Sequence, residues 1–380
     1  MDLSDLRIRT RSGETLIQQI RSGLRRHIES GRLQHGQRLP SLRQLSRETG
    51  VSIGVVRQAV AELSNSGHLR VDDRRGIFVS RPPVQVADIA LVLPALASSN
   101  LVKLMDGIIQ GLQGTQYRLV VESAQGNYRK EMALLERLDK AFLAGVLIQP
   151  PPFEQEAEVI RRMIDRGLPC VQVVAAVDQQ NLPSVTVDSF EMGRQAVNLL
   201  LEAGHRRLGI LDTNANAASS RLLRAGFQTA LTAAGLTMDD VAVEIGDAEF
   251  LDTANPTGAS RDSAHRLLEQ HPDTTGIIGV SHNRTLGAYR AATDRGMSIP
   301  DDLSLVAIGG NDDVLSVIHP GIASIAHPLS ALGQRAALML QQLIDGCHPT
   351  PSAIQLSPEI HSRKSVSAPR RSTPAAGQAC

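Results

Sequence analysis

The sequence has no tryptophan and few rings of any kind, with three Tyr and six Phe in 380 residues. A ligand site built by stacking on aromatic faces would have to draw on a handful of positions, Phe190 and Phe250 among them. The three cysteines, Cys170, Cys347 and Cys380, are an odd number without metal-ligand spacing, which argues against a zinc site or any other metal centre. No apolar run approaches the length of a membrane span. Met1 to Arg11 is polar where a signal peptide would carry its apolar centre. These absences predict a cytoplasmic protein that does not contact membrane. Catalytic signatures are missing as well. The glycines of "GLQGTQ" and "GNYRKE" have neither Walker nor dinucleotide spacing, no "GxSxG" elbow occurs, and paired zinc histidines are absent. Neither a catalytic residue nor a cofactor is therefore expected.

What is present is unevenly placed. The chain is too long for one core and implies two or three domains. Its formal charge is zero, yet residues 1–83 hold fifteen Arg, eight acids and no Lys, while residues 84–360 hold twenty basic and thirty-one acidic groups. A basic head on an acidic body points to a polyanion-binding module joined to something else.

In the head, Ile17, Ile20, Leu24 and Ile28 make one helical stripe. After the loop "SGRLQHGQRLP", Pro40 and Ser41 open a second helix, with Leu42 and Leu45 inward and Arg43 and Arg47 sharing the outer face. Gly50 makes a turn, and Ser52 is a suitable N-cap for a third helix. Val56, Ala59, Val60 and Leu63 form the buried stripe of that helix, which leaves Ser52, Ile53, Gly54, Arg57 and Gln58 facing outward. "HLRV", "DDRRG" and "IFVS" read as two strands around a turn. The predicted fold is a winged helix-turn-helix over residues 1–80.

On the segments "SGRLQHGQRLPSLRQLSRETGVS", "VRQAVAELSNSGHL" and "RRGIFV", the head resembles the GntR-type DNA-binding domain. The resemblance implies that Ser41, Arg43, Ser52, Gly54 and Arg57 face double-stranded operator DNA, with Arg75 and Gly76 as a wing tip in the minor groove. Arg47 joins them from helical facing alone. The family usually has Arg after the capping residue, where this sequence has Ile53. An arginine there can grip guanine in bidentate fashion, and Ile53 can offer only apolar contact to a thymine methyl. Either the operator differs at that base, or specificity rests more on half-site geometry.

"SRPPVQVAD" follows, and its prolines predict a stiff linker over residues 81–87. They argue against the hinge helix that LacI-type proteins carry beneath their own head. Strand-like and helical runs then alternate, from "IALVLP" to "LSLVAI", implying parallel sheets covered by helices. A second series begins with "SVTVDS" after an irregular junction near Ala176–Pro183, which predicts two doubly wound lobes over residues 88–358. Ligands in such sheets sit beyond the carboxyl ends of the strands.

On "IALVLP…MDGIIQGL", "SVTVDSFEMGRQAVNLLLEAGHRRLGIL", "SSRLLRAGF", "LGAYRAATDRGMSIPDDLSLVAIG" and "HPGIASI", this body resembles the LacI/GalR-type regulatory domain, itself like periplasmic sugar-binding proteins. The resemblance implies a two-lobed effector-binding and dimerisation domain. Matching positions nominate Ser98, Ser99 and Asn100 after the first strand, Gln149 after the third, and Asp188 to Phe190 after "SVTV". Arg221 matches a ligand-clamping arginine, whose planar fork can grip vicinal hydroxyls, a carboxylate or a phosphate. Where the family commonly has "ND", this chain has Ser281 and His282. The family's "GYDD" or "GFDD" is replaced by "GGNDD", which leaves Asn311 or Asp312 as the polar contact.

Residues 359–380 are Ser/Pro/Ala-rich without an apolar stripe, and predict a disordered tail. The whole reads as a homodimeric transcriptional regulator, a repressor whose operator affinity responds to a small sugar-like effector. An enzyme, or a ligand receptor without a DNA role, on the same body is the competing reading.

Overall fold

The computed structural model of the protein describes residues 15–29, 32–72, 75–80, 87–94, 101–125, 127–150, 157–177, 182–213, 218–246, 255–310 and 312–370. Residues 81–86 of the linker expected over 81–87 lie outside that set, as do the last ten residues, while Ala87 already begins a strand. The chain divides into two units, Met1–Val86 and Ala87–Cys380.

The first unit holds α1 (Leu16–Glu29), α2 (Leu42–Thr49), α3 (Ile53–Asn65), β1 (Leu69–Asp72) and β2 (Gly76–Val79). Each boundary has a local cause. Ser41 caps α2 in a reciprocal box, its Oγ accepting from the Gln44 N–H at 3.3 Å while its own N–H donates to the Gln44 side chain at 2.9 Å. Gly50 ends α2 in the left-handed conformation. Ser52 caps α3, accepting from the Val55 N–H. The stripe Val56, Ala59, Val60 and Leu63 is buried against Ile20, Leu24 and Leu45. Burying each larger apolar side chain is worth about 1.5–3 kcal/mol. β1 and β2 pair antiparallel, and Arg38 adds a bridge to Phe78 on the other side of β2.

The second unit is built on two six-stranded sheets. Its strands are β3 (Ala87–Leu93), β4 (Tyr117–Ser123), β5 (Leu143–Ile148), β6 (Cys170–Val174), β7 (Ser184–Val187), β8 (Leu208–Thr213), β9 (Val241–Gly246), β10 (Gly276–Gly279), β11 (Ser304–Ile308), β12 (Ala323–Ala326), β13 (Ala353–Leu356) and β14 (Glu359–His361). The first lobe has the order β13-β7-β6-β5-β3-β4 and the second β14-β12-β11-β10-β8-β9. All pairs are parallel except β12 with β14. The helices are α4 (Leu101–Gly111), α5 (Tyr128–Arg137), α6 (Ala157–Asp165), α7 (Ser189–Glu202), α8 (Ala218–Ala233), α9 (Pro256–Gln270), α10 (His282–Asp294), α11 (Asp312–Val317) and α12 (Leu329–Ile344). α4 and α12 pack against the first sheet, and α7 and α8 against the second.

Two expectations need correction. The first concerns the lobe boundary. β7, expected to open the second lobe, is hydrogen-bonded to β6 and belongs to the first sheet. The described chain then crosses between lobes at Asp188, at His327–Pro328 and between β13 and β14. Pattern alone could not show this, because a strand buried in either sheet has the same apolar run. The first and third crossings touch, since the Asp188 N–H donates to the Leu356 carbonyl at 2.9 Å.

The second concerns the tail. Residues 359–370 are built into the second lobe instead of being disordered. β14 pairs with β12, and Ser365 is fully buried. Its Oγ donates to the Leu305 carbonyl at 2.6 Å and accepts from the Ala323 N–H at 2.8 Å. Such a segment is held by hydrogen bonds to sheet backbone, so it needs no apolar stripe.

Candidate nucleic-acid interface and ligand site

In the first unit the caps fix where the outer face points. Arg43 and Arg47 are exposed on α2, Ser52, Ile53, Gly54 and Arg57 on the first turns of α3, and Arg75 at the turn between β1 and β2, where Gly76 begins β2. Among the described residues Arg43, Arg47, Arg57 and Arg75 make no ion pair. Arg21 does, meeting Glu62 at 3.0 Å. Those four guanidiniums point outward on one face of the head. The helix-turn-helix therefore presents cations, an exposed helix N-terminus capped by Ser52, and one exposed apolar side chain, Ile53. That set suits phosphate oxygens and base edges.

In the second unit the nominated residues follow carboxyl ends of parallel strands, as the sheet architecture predicts. Gln149 is half-buried directly after β5, its N–H donating to the Val92 carbonyl at 3.0 Å. Asp188 caps α7, accepting from the Glu191 N–H at 3.0 Å, and Phe190 is half-buried in the first turn of that helix. Arg221 is half-buried in the first turn of α8, after β8. Ser281 caps α10, accepting from the Arg284 N–H at 3.2 Å, and His282 is half-buried beside it. Ser98, Ser99 and Asn100 lie outside the described residues, as do Asn311 and the side chain of Asp312, so the choice between those last two stays open.

The residues ahead of Asn311 show what the "GGNDD" departure does. Gly309 and Gly310 both have positive φ, 66° and 98°. A Cβ on Gly309 would sit 2.9 Å from Cε1 of His327, and one on Gly310 would sit 3.3 Å from Cβ of His282. The loop after β11 thus rests on one histidine at a lobe crossing and on another from the nominated set. At these positive φ values a side chain on either glycine would strain the backbone.

Other anchored or buried polar residues of the second unit escaped the sequence reading. Arg224 donates to Asp212 at 2.7 Å and to the Thr213 carbonyl at 2.8 Å, tying α8 to the end of β8. Its spacing of three from Arg221, on one helical face, was the available signal. Arg284 is 3 % exposed, its guanidinium lying over Gly246 at the end of β9. His327 has a buried Nδ1 that makes no hydrogen bond among the described residues, and burial pushes its pKa down to about 4. Nothing in "AHPL" marks the Nδ1 of that half-buried histidine as shielded from solvent. Glu131, in the first turn of α5, is 2 % exposed, and burial raises its carboxyl to about 7.

Comparison with known proteins agrees with this division. Residues 16–79 match the family model for bacterial regulatory proteins of the gntR family, and residues 197–366 match that for a periplasmic binding protein-like domain. The arabinose metabolism transcriptional repressor of Geobacillus stearothermophilus is 25% identical over 331 residues, covering 84% of this chain and 88% of that one. The HTH-type transcriptional regulator GntR of Pseudomonas aeruginosa is 27% identical over 355 residues, covering 86% and 96%. The solved structure of a transcriptional regulator CelR–cellobiose complex superposes with a TM-score of 0.65 at 21% identity, covering 86% of this chain and all of that one. The last likeness concerns the fold.

Proposed function

We propose that this chain, in which a gntR-family DNA-binding domain leads into a periplasmic-binding-protein-like body, is a transcriptional repressor whose grip on operator DNA is set by a small sugar-like effector. The observation that carries the reading is the outward face of α2 and α3, where Arg43, Arg47 and Arg57 are exposed, and without an ion pair among the described residues, on helices held by Ser41 and Ser52 caps. The chain works in the cytoplasm as a homodimer. Two-fold symmetry of the bodies sets two heads on the half-sites of a palindromic operator. Arg43, Arg47 and Arg57, with Ser41, Ser52 and Gly54, meet the major groove and its phosphates; Ile53 lies against a thymine methyl; Arg75 and Gly76 reach the minor groove.

The effector binds between the lobes, beyond the strand ends that bear Gln149, Asp188, Phe190, Arg221, Ser281 and His282, with Ser98, Ser99, Asn100 and Asn311 or Asp312 completing the set. Arabinose and cellobiose in the names of two similar proteins, together with a half-buried arginine, Arg221, nominated alongside hydroxyl and amide side chains, support a saccharide or sugar acid. Binding shifts the equilibrium between lobe arrangements by the ligand's differential affinity for them, and operator affinity follows. No catalytic step is assigned.

A labelled duplex enriched from a random pool on the full chain supplies the test. Wild type is expected to bind it, and R43A and R57A to lose at least tenfold each, as loss of a bidentate or phosphate contact requires. A thermal-shift screen of monosaccharides, disaccharides and sugar acids is expected to find one ligand that stabilises wild type and both variants alike. A ligand at a hundred times its dissociation constant adds about 2.7 kcal/mol. Failure of the wild type to enrich any duplex, or turnover of the stabilising ligand, overturns the proposal.

A further inference from the structure

The wing carries a second arginine surface that neither the helix-turn-helix nor the wing tip accounts for. In the β-ladder Arg70 stands directly opposite Phe78. On the other side of β2, Arg38 stands opposite Phe78 in turn. Residues directly opposite one another in antiparallel pairing project to the same face, so Arg38, Phe78 and Arg70 form one rung, made by the β1–β2 ladder and the isolated bridge at Arg38. Their neighbours Leu39, Ile77, Leu69 and Val79 are buried on the other face. The rung therefore looks outward, with Arg38 and Arg70 exposed and Phe78 half-buried between them.

Both guanidiniums have defined positions. The Arg70 guanidinium carbon lies 5.7 Å from the centroid of the Phe78 ring, within cation–π range. Arg38 folds the other way, over the wing tip: a Cβ on Gly76 would sit 3.0 Å from its Nε and 3.3 Å from its Nη2. Gly76 has φ +110°, so the absence of a side chain there serves both the turn and the guanidinium. Neither Arg38 nor Arg70 has a carboxylate partner among the described residues. Two unneutralised planar cations, oriented by an aromatic ring and a glycine on one exposed face, match the pattern of a nucleic-acid surface. A solvated face has no need of the ring or the vacancy.

We infer that the Arg38–Phe78–Arg70 rung is a DNA-backbone clamp, in which Arg38 and Arg70 bind phosphates of the duplex alongside the wing without reading bases. The inference rests on the proposed DNA-binding function and extends it to residues outside the helix-turn-helix. Each arginine neutralises one phosphate, which adds about 0.9 to the slope of log affinity against log salt for duplex DNA.

The test uses the full chain and the duplex enriched on wild type, with affinity read by fluorescence anisotropy from 50 to 200 mM salt. R38Q and R70Q are each expected to flatten the slope by about 0.9 and to weaken binding about eightfold at 0.1 M salt, while enriching the same base sequence as wild type. R38K keeps the charge and is expected to retain most of the slope. R26Q, which removes an exposed arginine from α1, is expected to leave it unchanged. All four are surface changes, and unaltered melting checks that the wing is intact. An unchanged slope in R38Q and R70Q, or an equal loss in R26Q, overturns the clamp while the DNA-binding function stands. A wild type that enriches no duplex defeats that function itself, a separate outcome.

Discussion

The ammonium of Lys103, in the first turn of α4, lies 3.4 Å from a carboxylate oxygen of Asp313 in α11. α4 packs on the first sheet of the body and α11 against β12 of the second, so this ion pair spans the two lobes at the strand ends that bear the nominated ligand residues. Both side chains are largely exposed, and exposed pairs contribute about 0.2–1 kcal/mol. A thermal-stability double-mutant cycle on K103A and D313A is expected to give a coupling in that range, falling toward zero in 1 M salt. The charge-reversed double variant K103D/D313K is expected to recover part of what either reversal loses. A cycle with no coupling at low salt would show that the pair does not hold the lobes together.

Gly226 of α8 lies where α8 crosses α7. A Cβ there would run into the Phe190 carbonyl and the Arg194 amide nitrogen, the latter at 2.8 Å. Gly193 of α7 meets the Leu223 carbonyl in the same way. Backbone on both sides leaves no flexible side chain to yield, so G226A is expected to destabilise the body by about 1–3 kcal/mol. Because α7 carries Asp188 and Phe190 and α8 carries Arg221, ligand affinity should fall with it. Chemical denaturation of the body reports the first effect and calorimetric titration the second.

Glu131 makes stability depend on pH in a definite direction. Its folded carboxyl keeps its proton up to about pH 7, against an ordinary value of 4.5. Between those values the folded state binds more protons than the unfolded state, so this group's contribution to stability falls as pH rises through the window. E131Q removes the ionisation. It is expected to melt like wild type at pH 5 and a few degrees above it at pH 8, for a difference of about 3 kcal/mol at most. His327 acts in the opposite sense: its pKa is depressed to about 4, so stability is lost as pH falls from 6.5 toward that value. Comparing E131Q with wild type at each pH cancels that second effect.

The C-terminal segment is a structural part of the second lobe. His205 holds it at the opposite end of the sheet from the ligand residues, its ring nitrogens meeting Thr275 Oγ1 at 2.8 Å, Ser304 Oγ at 3.0 Å and the Ser367 carbonyl at 2.8 Å. Truncation after His361 would strip the buried Ser365 and leave backbone groups of β11 and β12 without partners, at about 1–3 kcal/mol for each buried group. The shortened chain is expected to melt well below wild type, with the loss confined to the body's transition. S365A, which removes one hydroxyl, is expected to show a smaller loss of the same kind.

The head was legible almost entirely from its residues. Ser41, Gly50 and Ser52 announce helix ends through local hydrogen bonding and backbone freedom, and the stripe at Val56, Ala59, Val60 and Leu63 repeats with helical spacing. Those causes act within a few residues, so the string of letters contains them. The alternation of strands and helices in the body was legible for the same reason. Arg224, Arg284 and His327 were not, because their roles come from what distant strands bring beside them.

Local pattern, then, settled the helices and strands of the head, the strand–helix alternation of the body up to β11, and which arginines of the head face outward. Folding in three dimensions settled the rest. It assigned β7 to the first sheet, threaded 359–370 into the second, seated the Gly309–Gly310 loop on two histidines, and put Arg38 and Arg70 on either side of Phe78. Hydrogen-bond partners in a parallel sheet are separated by whole helices along the chain, and burial of a serine or a histidine depends on those partners. A periodicity confined to neighbouring residues contains no record of them.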